Sequence, residues 1–388
     1  MRVAVLTDGI HPYVIGGMQK HSTNLVKHLT LIGCDVTLIH CVEISSEFPT
    51  DKQINDLLFN GEHCLHKIIT LKFPKSKRFP GHYIYNSKKY STIVFQNLVH
   101  EINNFDFIYA KGFSAWKLLK EKKKGLRCPK IGINFHGYEM WQYAPSLKSK
   151  LKQFLFRPFV KWNSKNADFV FSYGSKVSDI IKRIGVDEKK IVEIPSGIEQ
   201  DWIRNTLTGT DDVVRFLFLG RYERRKGVEE INLVLEKIAN QDLKVEFHFI
   251  GPIPENKRVT SLGKKIIYYG SIVDVNKVKS IMDVCDVLIC ASYSEGMPNV
   301  ILEGMARGLA IIATDVGATD LLVDDDNGKL IKFENCENLI DDLHKLILIF
   351  STIDQSELLI KKEMSLKKIN AFSFNEIADK HYRFFANF

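Results

Sequence analysis

Short, uniformly apolar runs alternate along this chain with longer stretches whose apolar positions recur every three or four residues. Positions 2–6 read as a strand, 17–32 as a helix with Leu25, Leu29 and Ile32 on one face, and 35–40 as a second strand. The chain therefore opens on a βαβ unit. Further strands are predicted at 105–110, 130–135, 168–172 and 191–194. They are apolar throughout rather than alternating, as parallel strands covered on both faces should be. After the polar stretch 205–212 a second series begins, with strands at 214–219, 244–250, 266–269, 287–290 and 310–314. Helices such as 227–239 and 299–306 separate them. The pattern predicts an α/β protein of two doubly wound parallel-sheet domains, 1–200 and 201–370, and an aromatic-rich closing helix at 371–388. Ligands bind such sheets beyond the carboxyl ends of the strands, so chemistry is sought in the loops there.

A length of 388 residues fits two domains at about 150 residues each, counted from the sequence. With 45% hydrophobic and 26% charged residues, the composition excludes a disordered chain and a disulfide-stapled mini-domain. No apolar run approaches the ~20 residues of a membrane span. The amino terminus passes straight into a strand with no leader-like apolar region, so a soluble cytoplasmic protein is expected. The seven cysteines are scattered and read as reduced, buried thiols. His63-Cys64-Leu65-His66 could supply soft metal ligands, but no second pair at finger spacing accompanies it, and no metal site is expected. Lysine and arginine outnumber the acids 54 to 46, and the excess gathers at 72–89, 117–124 and 148–165. A basic first half suits a polyanionic partner or, more ordinarily, a solvated surface.

Four loops carry candidate chemistry. Ser294-Glu-Gly-Met-Pro-Asn-Val-Ile-Leu-Glu303 follows a strand and enters a helix. Its Gly and Pro shape a turn, the helix start offers free amides, and Glu295 and Glu303 can accept hydrogen bonds from sugar hydroxyls. Leu219-Gly-Arg-Tyr-Glu-Arg-Arg-Lys-Gly227 places Arg221 and Lys226 beyond a strand end. There two cations suit a diphosphate and the charge that grows on it as it departs. Gly16 and Gly17 allow close backbone approach at a helix start; a GxGxxG dinucleotide pattern is absent. His136 ends a strand beside Gly137.

Together these loops resemble the retaining nucleotide-sugar glycosyltransferases of family 4, which have the GT-B fold of two Rossmann-like domains facing a cleft. Ile194-Pro-Ser-Gly197 and the tail 371–378 extend the likeness over nearly the whole chain. The resemblance implies that Arg221 and Lys226 hold the donor diphosphate, assisted by the glycine loop at Gly16 and Gly17. Glu303 would bind the ribose, and Glu295 with the backbone of Gly296, Met297, Pro298, Asn299 and Val300 the donor sugar. His136 would stand beside the anomeric centre. The loops after Ile250 and Tyr269, the latter carrying Val273, would flank the base. It further implies retention of configuration by same-face attack, with the leaving phosphate as base and the two cations in place of a metal; no cofactor is expected. The closing helix would pack back on the first domain. Gln19 stands where many members carry Glu, and Met297 where an aromatic is common.

Asp324-Asp325-Asp326 spells a DxD, a metal motif in other glycosyltransferase folds, but it precedes Asn327-Gly328 and reads as a turn. The implied donor is a UDP- or GDP-linked sugar and the acceptor a glycan, lipid-linked or small molecule of cell-surface synthesis. Leu151, Phe154, Leu155 and Phe159 lie among Lys150, Lys152, Arg157 and Lys161. They suit an interfacial helix on an anionic membrane, or a helix packed on its own domain with a solvated basic face. A GT-B-like epimerase or phosphorylase is an alternative. A polyanion-binding protein without activity is a third reading, but it leaves the Glu295–Glu303 loop unexplained, and no nucleic-acid partner is expected.

Overall fold

The computed structural model describes residues 1–43, 47–77, 79–207, 211–333 and 335–388. Arg78 of the basic stretch and 208–210 of the polar stretch lie outside the described residues. The chain divides into two compact units. One comprises Met1–Trp141, Leu151–Ser196 and Phe374–Phe388, the other Gln142–Lys150 and Gly197–Ser373.

In the first unit the order is β1 (Arg2–Leu6), α1 (Gly17–Leu31), β2 (Asp35–Val42), α2 (Asp51–Phe59), β3 (Lys67–Lys72), α3 (His82–Leu98), β4 (Phe107–Lys111), α4 (Trp116–Lys123) and β5 (Lys130–Asn134). Then come α5 (Leu147–Asn166), whose first turn is counted with the second unit, β6 (Phe169–Ser172), α6 (Lys176–Arg183) and β7 (Ile191–Glu193). All strands pair in parallel in the order β3-β2-β1-β4-β5-β6-β7. The central β1 and β4 run Val3 against Phe107 through Leu6 against Ala110, and both are buried on both faces.

The second unit runs β8 (Val214–Leu219), α7 (Val228–Ile238), β9 (Val245–Ile250), β10 (Ile266–Gly270), α8 (Val275–Asp283), β11 (Val287–Cys290), α9 (Asn299–Ala306), β12 (Ala310–Thr314), β13 (Gly328–Ile331), α10 (Cys336–Ser351) and α11 (Gln355–Ile369). Its parallel sheet has the order β10-β9-β8-β11-β12-β13. Val214, Phe216 and Phe218 of β8 share a core with Ile231, Val234 and Leu235 of α7 and Leu339, Leu343 and Ile347 of α10. Below this sheet Lys362 of α11 meets Asp286 at 2.7 Å, with the two side chains only 2% and 6% exposed.

The chain ends on α12 (Phe374–Phe385), which belongs to the first unit. Ile377, His381 and Phe385 recur every four residues on its buried face. Phe385 stacks on Phe107 at 4.4 Å, and Phe384 meets Phe169 edge-on at 4.9 Å, so the aromatic spacing of the tail is the reason the helix docks there.

Candidate functional site

In the second sheet, connections leave β8 toward β9 on one side, while β11 lies on its other side. The β8–β11 seam is thus the topological switch point, where an open α/β sheet has a crevice at its carboxyl edge. The two loops that open there are 220–227, after β8, and 291–298, after β11.

The first loop closes through a 3-10 turn, Arg224–Lys226, into Gly227, which adopts a left-handed φ of 69° before α7. A Cβ at Gly227 would stand 2.0 Å from the Ala291 carbonyl oxygen, so only glycine lets this loop lie against the second one. The backbones then join, Tyr293 N–H donating to the Arg225 carbonyl at 2.8 Å.

That closeness places Lys226 Nζ 2.5 Å from Glu295 Oε1, with Arg225 Nη1 at 3.4 Å from the same oxygen. The Glu295 side chain is 9% exposed. Burial alone would raise its pKa, but the Lys226 and Arg225 charges and hydrogen bonds from Lys226 and Ser292 outweigh burial and hold it at about 2. Glu295 is therefore a fixed carboxylate at neutral pH. Arg225 also pairs with Glu223 at 2.9 Å, and Glu223 in turn with Arg221 at 2.9 Å. Arg224 is taken up elsewhere, by Glu230 at 2.6 Å and by the ring of Tyr293 at 5.0 Å. The seam therefore gathers three cations, Arg221, Arg225 and Lys226, and two carboxylates, Glu223 and Glu295.

The second loop is held at its backbone. Gln142 Nε2 donates to the Glu295 carbonyl at 2.6 Å while its Oε1 accepts from the Glu295 N–H at 3.1 Å. From below, Ala318 N–H donates to the Gly296 carbonyl at 2.7 Å. Gly317 makes this approach possible, since a Cβ there would fall 2.3 Å from the Glu295 carbonyl oxygen. The loop then feeds α9, in which Glu303 is buried one turn from the start.

In the first sheet the switch point lies between β1 and β4. Gly16 precedes α1 in an extended conformation, φ 169°, and Gly17 begins the helix. His136 follows β5 with φ 63°, an uncommon conformation for a side chain of its size. Asn134 Oδ1 holds its N–H at 2.7 Å, and its Nδ1 lies 2.7 Å from the Tyr173 hydroxyl. Asp8, just beyond β1, accepts from Gln19 Nε2 at 3.1 Å. Burial pushes Asp8 up to about 6 against the hydrogen bonds of Gln19 and Tyr83 and the charge of Lys111. Burial likewise pushes Lys111, at the end of β4, down to about 7.

Of the residues singled out in the sequence, Lys226 and Glu295 are in direct contact, and Arg221 reaches them through Glu223 and Arg225. Gly296, Met297, Pro298, Asn299 and Val300 continue the same loop into α9, and the Met297 side chain is buried. Val273 stands apart in the loop after β10, beyond β9 from the seam, and is 95% exposed. Gly16, Gly17 and His136 lie at the carboxyl edge of the first sheet. Sequence reasoning missed Arg225, Glu223, Gln142, Gly317, Asp8 and Lys111. Arg225 was signalled only by its place in a basic run. The Asp324 carboxylate accepts from the Asp326 N–H at 3.0 Å and pairs with Lys368, and Gly328 N–H closes the turn on the Asp324 carbonyl at 2.9 Å. Among the described residues no group of three His, Cys, Asp or Glu is placed to hold a metal ion.

Two Rossmann-like sheets, the second with a cation–carboxylate seam at its switch point, define a GT-B glycosyltransferase architecture. The model of Glycosyltransferase Family 4 matches residues 15–202, and that of Glycosyl transferases group 1 matches 214–348. The chain belongs to the family 4 glycosyltransferases. It is 26% identical over 372 residues to an uncharacterized glycosyltransferase of Methanocaldococcus jannaschii, covering 88% of each chain. It is 27% identical to the N,N'-diacetylbacillosaminyl-diphospho-undecaprenol alpha-1,3-N-acetylgalactosaminyltransferase of Campylobacter jejuni, over 49% of this chain and 50% of that one. In fold it is similar to sucrose-phosphate synthase from Thermosynechococcus elongatus, with a TM-score of 0.73 at 16% identity, covering 100% of this chain and 98% of that one.

Proposed function

We propose that this glycosyltransferase moves a sugar from a UDP- or GDP-linked donor to a lipid-linked or glycan acceptor of cell-surface synthesis, with retention of configuration and no metal cofactor. It would work in the cytoplasm, as a peripheral protein on the inner face of the membrane. The Lys226–Glu295–Arg225 cluster at the second switch point carries the reading. Arg221, Arg225 and Lys226 offset the ground-state charge of a diphosphate and stabilise the charge that develops as the glycosidic phosphate bond breaks. Glu295, held ionised, accepts hydrogen bonds from donor hydroxyls, and the amides at the start of α9 serve the same sugar. Its engagement by two cations suits an acceptor of hydrogen bonds better than a nucleophile, which favours same-face attack with the departing phosphate taking the acceptor's proton. The Tyr173 hydroxyl, 2.7 Å from Nδ1, fixes the His136 ring at the carboxyl edge of the first sheet, and we assign His136 to the transfer step. Support for a diphosphate-lipid acceptor comes from the Campylobacter jejuni relative, whose name specifies diphospho-undecaprenol.

A melting-temperature panel with UDP, GDP, ADP and their sugar conjugates tests the donor site, because a ligand bound to the native state stabilises it by RT ln(1 + [L]/Kd). One nucleotide family should raise Tm in the wild type and in His136→Asn, while transfer is lost in the latter. Absence of any shift would overturn the donor assignment. Proton spectra of the new linkage then read retention directly.

A further inference from the structure

In the first unit, α5 and α6 border a cavity of about 340 Å³ whose charged lining is entirely positive. Arg157 and Lys161, one turn apart on α5, face it together with Arg183 from the last turn of α6. Trp141, Ile180 and Ile184 supply an apolar wall. Arg157 Nε donates to the Met140 carbonyl at 2.8 Å, which fixes the base of the guanidinium and leaves its terminal nitrogens for a ligand. Among the described residues none of these three cations forms an ion pair with a carboxylate. Three like charges around one small cavity repel one another, and a multiply charged oxyanion is the group that relieves them; arginine forks match phosphate oxygens two at a time.

The same helix says what the phosphate is attached to. Over its 20 residues α5 contains no Asp or Glu. Pro158, at the cavity rim, continues toward the start of the helix through Phe154 and Leu151, the three- and four-residue spacing of a single face. Leu151 and Phe154 are 64% and 65% exposed, and Leu155 39%, so this half of the helix is not covered by its own domain. Phe159, farther along, does pack inward, against Trp116. A soluble phosphate would use the cations and leave the apolar row in water. A phospholipid in a bilayer answers both: its headgroup enters the cationic cavity while Leu151, Phe154 and Leu155 enter the acyl boundary.

We propose that α5 and α6 form a membrane-docking surface whose cavity binds the phosphate of an anionic phospholipid headgroup. This deepens the membrane-facing reading above; it does not depend on the donor assignment.

Flotation of the full chain with vesicles of phosphatidylcholine, alone or mixed with phosphatidylglycerol, tests it. The wild type should float only with the mixed vesicles. Arg157→Gln/Lys161→Gln/Arg183→Gln should lower the partition coefficient on the order of a hundredfold. Leu151→Ser/Phe154→Ser should lower it as well, with the charge untouched. The equal-charge control Lys257→Gln/Lys264→Gln/Lys277→Gln, on exposed positions of the second unit, should float like the wild type. Arg183→Gln alone, at an exposed position, should cost several-fold and covers the case in which the triple cavity variant misfolds. Equal flotation of the cavity variant and the control would overturn the proposal. So would a Tm rise with inorganic diphosphate in a protein that binds neither vesicle, which would make the cavity a soluble-anion site. The nucleotide Tm shift, measured on the same variants, stays intact if docking and donor binding are separate. Its failure therefore speaks only to the donor reading.

Discussion

Lys226→Met asks how much of the second unit's stability rests on keeping Glu295 ionised. Lys226 Nζ lies 2.5 Å from Glu295 Oε1, and the carboxylate is 9% exposed. Its pKa falls from the ordinary 4.5 to about 2 despite burial, which alone would raise it, because of Lys226, Arg225 and hydrogen bonds from Lys226 and Ser292. That difference corresponds to ~3 kcal/mol at neutral pH. Lys226 provides both the larger attraction and a hydrogen bond, so methionine should remove more than half, about 2 kcal/mol. For a unit of this size the loss is a fall in Tm of ~4–8 °C. The pH dependence has a definite sign. A depressed carboxylate pKa gives stability that is complete above the unfolded value and is lost as pH falls through the folded one. The wild-type contribution should therefore stand in full at pH 7, drop to about 2 kcal/mol at pH 3.5 and nearly vanish by pH 2. Calorimetry of wild type, Lys226→Met and Lys226→Met/Glu295→Gln from pH 7 to 3.5 reads this directly. The gap between wild type and single variant should narrow on acidification, and the double variant should recover part of the loss because no stranded carboxylate remains. A gap under ~1 °C at pH 7, or one independent of pH, would refute the reasoning.

Gly227→Ala should lower the urea midpoint by at least ~2 kcal/mol equivalent and weaken nucleotide binding, since a left-handed residue and a carbonyl 2.0 Å from the new Cβ must both be accommodated. An unchanged midpoint would show that the two loops part freely. Lys362→Met strands Asp286 in the core and should cost ~3–5 kcal/mol in chemical unfolding. Lys362→Met/Asp286→Asn should cost less than the sum of its parts, and strict additivity would deny the pair. Chelation by EDTA and the substitution Asp324→Ala should each leave turnover unchanged, because the Asp324 carboxylate is engaged by Lys368 and the Asp326 amide. Loss of activity in EDTA, restored by a divalent ion, would overturn metal-free transfer.

The interior of both sheets was legible because β1, β4, β11 and β12 are buried on both faces and therefore read as apolar runs. The edges were not. β3, Lys-Ile-Ile-Thr-Leu-Lys, has only half-buried positions between two exposed lysines, the lysine-flanked form of an edge strand. β13 begins with Gly328 directly after the Asp324 turn, so turn chemistry masked a four-residue strand. The loops of the site could be located from Gly, Pro and charge at strand ends, but their pairing could not. Lys226 and Glu295 are 69 positions apart, and Gln142 and Glu295 are 153 apart. No local pattern encodes such contacts; they follow from the parallel register that sets β8 beside β11. The exposed row on α5 was open for a related reason. Periodicity gives the face of a helix but not whether another element covers it.

The ion pair at the switch point bears on how the enzyme turns over. Lys226 is already engaged before any donor arrives, so a diphosphate that reaches it exchanges one anionic contact for another instead of quenching a bare charge. Under the proposed reading this lowers the net gain on binding, and it gives the spent nucleotide a competitor within the protein: as the diphosphate withdraws, Glu295 recaptures the ammonium. Holding the donor less tightly than the cations alone could thus hasten product departure, and Glu295→Gln would be a tighter nucleotide binder that releases its product more slowly.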